Sequence, residues 1–348
     1  MNNQNSNIKD IENLVIEHDK GARKLTGFLL SASLFIALFW SLFQIWVYSD
    51  FQLFFSKLYF WEKFNLNSDI LYFNNNIAKR VHLLFALLLA FIFYPAFKQS
   101  SRNHIPIYDW IFILLTLISI GYVLVNYNEI AYRIGDFNDK DMFFSIIIVI
   151  ISLEAVRRIV GIPLLIIAII IFLYTVFGDL AILPEELQHK SYSIKKVITQ
   201  ITLTSEGIFG IALGVSSEFV FLFVLFGALL ERSGAGNYFI NVSFALLGHM
   251  KGGPAKAAII ASAATGSITG SSIANVVTTG TFTIPLMRKI GFSRDKSAAL
   301  EVSSSVNGQI MPPVMGAAAF LIVEYVGITY SQLIQNALLP IKGALSSR

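Results

Sequence analysis

Long apolar runs alternate with short polar ones along this chain, and the runs approach the length of membrane helices. Residues 1–26 are polar and end in Lys20, Arg23 and Lys24. The first apolar run covers 27–48 and closes on Trp46, Tyr48 and Phe51, which suit a membrane–water interface. After a polar, aromatic-rich loop at 49–80 come runs at 81–97, 107–125, 142–156, 159–178 and 207–230. A crossing takes about 20 residues, so each reads as a span. The basic clusters at 20–24, 98–102 and 157–158 then fall on one side, which the positive-inside rule makes cytoplasmic. The acidic loop Asn126–Asp141 falls on the other. In KSYSIKKVITQITLTS (190–205), apolar residues recur at helical spacing opposite lysines, which predicts an interfacial helix.

The pattern changes at Ala257. The 31 residues from there to Met287 carry no charge, and half of those from Ser262 to Thr283 are Ser, Thr or Asn. This segment is too long for one crossing and too short and polar for two. Lys251 and Lys256 precede it and Arg288, Lys289 and Arg294 follow, which places both ends on the cytoplasmic face. A re-entrant hairpin is the expectation, and such backbone is tolerated at membrane depth only inside protein or along a wet cavity. Between Arg232 and Lys251 we expect a helix lying along the cytoplasmic face. Beyond the hairpin, a helix from Asp295 to Gln309 is interrupted by GQIMPP (Gly308–Pro313), and an apolar helix follows at 314–326. Two prolines after a glycine break a helix and free its carbonyls. The segment from Gln332 begins as another helix and is expected to stop at IKGALSSR.

Composition fits this reading. Of 348 residues, 55% are hydrophobic and 14% charged, against roughly 25% charged in soluble domains. The excess of four positive charges is what positive-inside loops supply, and it calls for no nucleic-acid partner. The absence of cysteine excludes disulfides, thiolate metal sites and a cysteine nucleophile. The histidines, His18, His82, His104, His189 and His249, are scattered without metal-binding spacing. No His, Asp or Arg cluster gathers at one interface, so a membrane-bound enzyme is not expected, nor a catalytic residue or an organic cofactor. The first span lacks a cleavage-site pattern and reads as retained rather than as a signal peptide.

Chemistry is expected where the hairpin tip, Gly266–Asn275, meets the break at Asn307–Pro313. Secondary transporters build midplane sites from discontinuous helices: half-helix N-termini face an anionic group, and freed carbonyls hold Na⁺. Hydroxyls of Ser271 and Ser272 and the amide of Asn275 offer neutral oxygens. Gly266-x-x-x-Gly270, taken alone, is better read as a helix-packing motif. Among acidic residues in apolar context, Glu301 and Glu324 are placed near helix ends, with structural roles as good a reading as functional ones. Glu218 is placed deepest, with no role assigned. Glu154 and Arg158, four apart, read as a helix-end ion pair.

GALLERSGAGNYF (227–239), GGPAKAA (252–258), SIANVVTTGTFTIPLM (272–287) and GQIMPPVMGAAAF (308–320) resemble the large membrane subunit of a TRAP transporter of the TAXI type. LEAVRRIVG (153–161) is similar to the end of the four-helix small subunit often fused ahead of it. The resemblance implies an all-α polytopic, elevator-type secondary transporter of the bacterial inner membrane, with its N-terminus cytoplasmic and inverted repeats each supplying a hairpin and a discontinuous helix. It also implies Na⁺-driven uptake of a small organic anion delivered by an extracytoplasmic substrate-binding protein. Carried over by position, Ser271, Ser272, Asn275, Gly308 and Pro312 would hold Na⁺, and Gly266, Thr269, Thr278 and Thr279 would lie near the substrate. Asn307 stands where the family commonly has glycine, and Glu218 where it commonly has a neutral residue.

On this reading 1–26 is a cytoplasmic tail and 27–180 a set of small-subunit-like membrane helices. A linker with the interfacial helix covers 181–206, and 207–348 is the first half of a large-subunit transport domain. No second copy of SSIAN or GQIMPP occurs, so one of two repeats is expected, and a truncated product that does not transport alone. The alternative is a Na⁺-coupled elevator-type carrier that takes organic anions directly from solution; a channel is disfavoured for lack of repeated filter-like segments.

Overall fold

The computed structural model describes residues 22–56, 73–97, 99–180 and 184–346. Most of the expected cytoplasmic tail, the centre of the loop 49–80 and Lys98 lie outside the described residues. No strand occurs among the described residues, and the chain falls into two compact units, one ending at Gly214 and the other starting at Val215.

The first unit contains α1 (Gly27–Val47), α2 (Phe51–Ser56), α3 (Asn75–Phe93), α4 (Ile107–Val125), α5 (Tyr127–Tyr132), α6 (Asp139–Ile159), α7 (Ile162–Val176) and α8 (Ile194–Leu203). Local chemistry sets the starts. The Asn74 side chain accepts from the Ile77 N–H to cap α3, a capping box of Asn138 and Asp141 opens α6, and Pro163 sits in the first turn of α7. α3, α4 and α6 pack pairwise around Leu87, Phe91, Ile113, Ile120, Val123, Ile148 and Ile151, and α1 packs on α3. α1, α3 and α4 are each long and apolar enough to span a membrane. The expected spans over α6 and α7 are less complete: α6 is charged at both ends, and α7 has 15 residues.

The Glu154–Arg158 pair is present at 2.7 Å, and it is the edge of a larger buried cluster. Arg158 reaches on to Asp109 (2.6 Å), one turn into α4, and the other Asp109 oxygen meets Arg23. Arg23 Nη1 also donates to the Phe91 and Ile92 carbonyls near the end of α3. Carbonyls at a helix C-terminus attract a cation, so one arginine closes α3 and neutralises α4 together. At another corner, Asp141 accepts from Arg133 at 3.0 Å and from the Tyr122 hydroxyl at 2.7 Å. The expected interfacial helix is α8, but Val197, Ile198 and Leu203 are buried and α8 packs on α6, so its apolar face meets protein.

α9 (Ile211–Arg232) crosses the boundary between the units and has a π-helical turn at Ser216–Val220. The second unit continues with α10 (Ala235–Leu247), α11 (Gly253–Thr269), α12 (Ser272–Lys289), α13 (Arg294–Val306), α14 (Ala317–Val326) and α15 (Tyr330–Ser346). α9 is a further candidate span, and α14 with Tyr330–Leu338 of α15 passes the same test as a pair bent by 117°. Several boundaries differ from expectation, two of them in the last helices. The apolar helix starts at Ala317 rather than 314, because Met315 adopts a left-handed φ of 58°. The IKGALS segment stays helical, since Ala344 and Leu345 favour a helix and Gly343 opposes it by only about 1 kcal/mol.

Candidate ion and substrate site

α11 and α12 form a helical hairpin that turns at Gly270 and Ser271, and α13 packs against both. Gly270 has φ +59°, and a Cβ there would lie 2.0 Å from the Met315 carbonyl oxygen, so the turn admits only glycine. Ser271 caps α12, its hydroxyl accepting from the Ala274 N–H at 3.3 Å. α13 ends in a tight turn at Asn307–Gln309, and helix resumes only at Ala317.

Tip and break meet along several backbone contacts. The Val314 N–H donates to the Ser267 carbonyl at 3.2 Å, and Gln309 Nε2 donates to the Ser272 hydroxyl at 3.0 Å. A Cβ on Gly266 would lie 2.4 Å from the Gly308 Cα. Gly266, Ser271, Ser272, Asn275 and Gly308 therefore belong to one region, and Pro312 is half-buried four residues further along the break.

Asn275 is the centre of it. Its side chain is fully buried, and Nδ2 donates to the Ser262 carbonyl at 2.8 Å and to the Ser262 hydroxyl at 3.0 Å. Its Oδ1 has no partner, and neither does the buried Thr265 Oγ1. Buried polar atoms are almost always paired, and an orphan acceptor costs about 1–3 kcal/mol. Neutral, buried, unpaired oxygens are what a hard monovalent cation takes as ligands, so these residues fit Na⁺. Asn307 Nδ2 is a buried donor without a partner, and it suits an acceptor such as a carboxylate.

The four expected substrate neighbours separate. Thr269 lies at the tip, its hydroxyl 3.5 Å from the Ser271 carbonyl oxygen, beside Gly266 and the break. Thr278 faces α10, with its methyl 3.5 Å from where a Cβ on Gly236 would sit. Thr279 is fully buried on another side of α12, and its hydroxyl donates to Glu301.

Glu301 departs from its expected helix-end role. The carboxylate is fully buried and also accepts from the Thr283 hydroxyl and, at 3.2 Å, from the Ser305 hydroxyl. Glu218 is only half-buried within the π turn, and Glu324 is exposed. Distance along a span is a poor guide to packing. The available signal was periodic: Ser297, Glu301, Ser304 and Ser305 share a face of α13, opposite Thr279 and Thr283 on α12. Among the described residues no group of three or more His, Cys, Asp or Glu is placed to hold a metal.

Residues 147–344 match the family described as the tripartite ATP-independent periplasmic transporter, DctM component. The chain is 33% identical over 103 residues to the ectoine TRAP transporter large permease protein TeaC of Halomonas elongata, covering 30% of this chain and 24% of that protein. It is 35% identical over 91 residues to the C4-dicarboxylate TRAP transporter large permease protein DctM of Rhodobacter capsulatus, covering 26% and 21%. Similarity to the uncharacterized protein YgiK of Salmonella typhimurium runs over 167 residues at 29% identity, covering 48% and 35%. In these three pairings the chain spans 21% to 35% of the relative's length. No solved structure matches it.

Proposed function

This chain belongs to the DctM-component family of tripartite ATP-independent periplasmic transporters, and from that membership we propose that it is the membrane permease component of a Na⁺-coupled uptake system for small organic acids. An extracytoplasmic substrate-binding protein delivers the acid. The reading places the chain in the bacterial inner membrane with its N-terminus in the cytoplasm. It takes α11–α12 as a re-entrant hairpin and α13–α14 as the discontinuous helix of an elevator-type carrier.

One observation carries the ion assignment: the orphan Oδ1 of Asn275 within the hairpin, on the amide whose Nδ2 lies beside the Gly266–Gly308 contact. A cation there replaces the missing hydrogen-bond donor, and the neutral oxygens of Ser271 and Ser272 and the carbonyls around Gly308 and Pro312 complete its ligands. For the acid, the unpaired Asn307 Nδ2 and the N-terminus of α12 supply donors and a positive dipole end. We assign the chain to the TAXI type from the motifs at 227–239 and 308–320, with residues 27–180, α1–α7, as the fused small-subunit part.

The test is uptake of a radiolabelled C4-dicarboxylate into liposomes carrying a full-length version of the protein with both repeats and an inward Na⁺ gradient, with and without the cognate binding protein. The reading requires uptake that needs both. Uptake independent of the gradient overturns Na⁺ coupling. Gradient-driven uptake without the binding protein selects the carrier that takes its substrate from solution.

A further inference from the structure

The buried carboxylate of Glu301 has no cationic partner among the described residues. The charged residues on the helices packed around it are Lys256 on α11, Arg288 and Lys289 on α12, and Arg294, Asp295 and Lys296 on α13. All are exposed, and none pairs with it. Its partners are the hydroxyls of Thr279, Thr283 and Ser305. Three hydroxyls solvate a carboxylate without neutralising it.

One of these hydroxyls begins a relay. Ser305 Oγ lies 3.2 Å from Glu301 Oε1 and 3.1 Å from Ser262 Oγ. Ser262 Oγ in turn accepts from Asn275 Nδ2 at 3.0 Å. An ionised Glu301 can only accept and a hydroxyl carries a single hydrogen, so with Glu301 in its charged form the direction of the chain follows from counting. Ser305 donates to the carboxylate, Ser262 donates to Ser305, and Asn275 donates to Ser262. Every donor points toward Glu301, so the negative end of every dipole points away from it. The last of these ends is the unpaired Asn275 Oδ1. Chains of hydrogen bonds polarise cooperatively in a low-dielectric interior, and the carboxylate therefore increases the negative charge on that oxygen.

We propose that Glu301 is the counter-charge for the cation bound at Asn275, acting through Ser305 and Ser262 as a positioning residue rather than as a ligand. The proposal rests on the Na⁺ reading above. It accounts for a site whose ligands are all neutral and for an anion that otherwise sits uncompensated in the same packed unit. The close fit of α12 against the acid agrees with it, since a Cβ on Gly280 would lie 3.1 Å from Glu301 Cγ.

The experiment is thermal unfolding of the purified protein in detergent, with NaCl exchanged for choline chloride at constant ionic strength. Wild type should melt higher in Na⁺, with a measurable half-saturating concentration. Glu301→Gln keeps the shape and removes the charge, and should raise that concentration by at least about tenfold, as loss of an outer partner does in metal sites. Ser305→Ala keeps the charge and cuts the relay, and should raise it by a smaller factor while its melting in choline stays near wild type. If wild type responds and Glu301→Gln half-saturates at the same Na⁺, the counter-charge role is overturned and the Na⁺ site stands. No response in wild type removes the Na⁺ reading and this proposal with it. Should Glu301→Gln fail to fold, Ser305→Ala decides: an unchanged half-saturating concentration overturns the relay.

Discussion

Gly266 on α11 and Gly308 in the break approach backbone to backbone, and a Cβ on Gly308 would lie 2.9 Å from the Gly266 Cα. Neither side has a flexible side chain to move aside, so an added methyl must separate hairpin from break. Gly266→Ala and Gly308→Ala should each destabilise the protein by about 1–3 kcal/mol, as overpacking does elsewhere. Gly234→Ala is the control for space: a Cβ there meets nothing within 4 Å, and its cost comes from the left-handed φ of 88°. Thermal unfolding in one detergent would check this; an unshifted Gly266→Ala protein would mean the contact is not present.

Asn275→Leu removes the orphan oxygen and the Ser262 hydrogen bonds while keeping the number and branching of the side chain's heavy atoms. In a full-length version with both repeats, Na⁺-dependent uptake should fall to background, with insertion and expression unchanged by gel and protease mapping. Retained uptake would rule out Asn275 as an ion ligand.

Asp109 is the carboxylate shared by Arg23 and Arg158, and the side chains of all three are fully buried. Asp109→Asn leaves Arg23 without a counter-ion and Arg158 with Glu154 alone, and loss of one partner from a buried ion pair costs about 3–5 kcal/mol. The exposed Glu129–Arg133 pair makes the contrast, since solvent screens it and Glu129→Ala should leave stability unchanged. Denaturation of the two variants side by side measures the difference.

Asp141 gives a pH dependence of definite sign. Burial pushes its carboxyl up, but hydrogen bonds from Arg133, the Tyr122 hydroxyl and the Asn138 N–H outweigh burial and hold it below the usual carboxylate range. A depressed carboxyl contributes stability above its unfolded value of about 4 and loses it as pH falls through the folded value. Wild type should therefore lose stability below about pH 4, and Asp141→Asn should flatten that fall. Parallel acid titrations of both proteins would expose an error in sign.

The hydropathy pattern, by itself, determined that this is a helical membrane protein and roughly where its helices lie, because helix formation and burial in lipid depend on local runs of side chains. The charge-free hairpin segment and the proline break were legible for the same reason: they constrain the backbone where they occur. The fate of Asp109 and Glu301 was not legible. Asp109 pairs with residues 86 and 49 positions away, and Glu301 with hydroxyls 22 and 18 positions away. Local periodicity says which face of a helix a residue occupies, not what faces it. Only the packing of α12 on α13 turned a glutamate near a helix end into a buried carboxyl group, and only the tertiary structure shows the Asn275 oxygen without a partner.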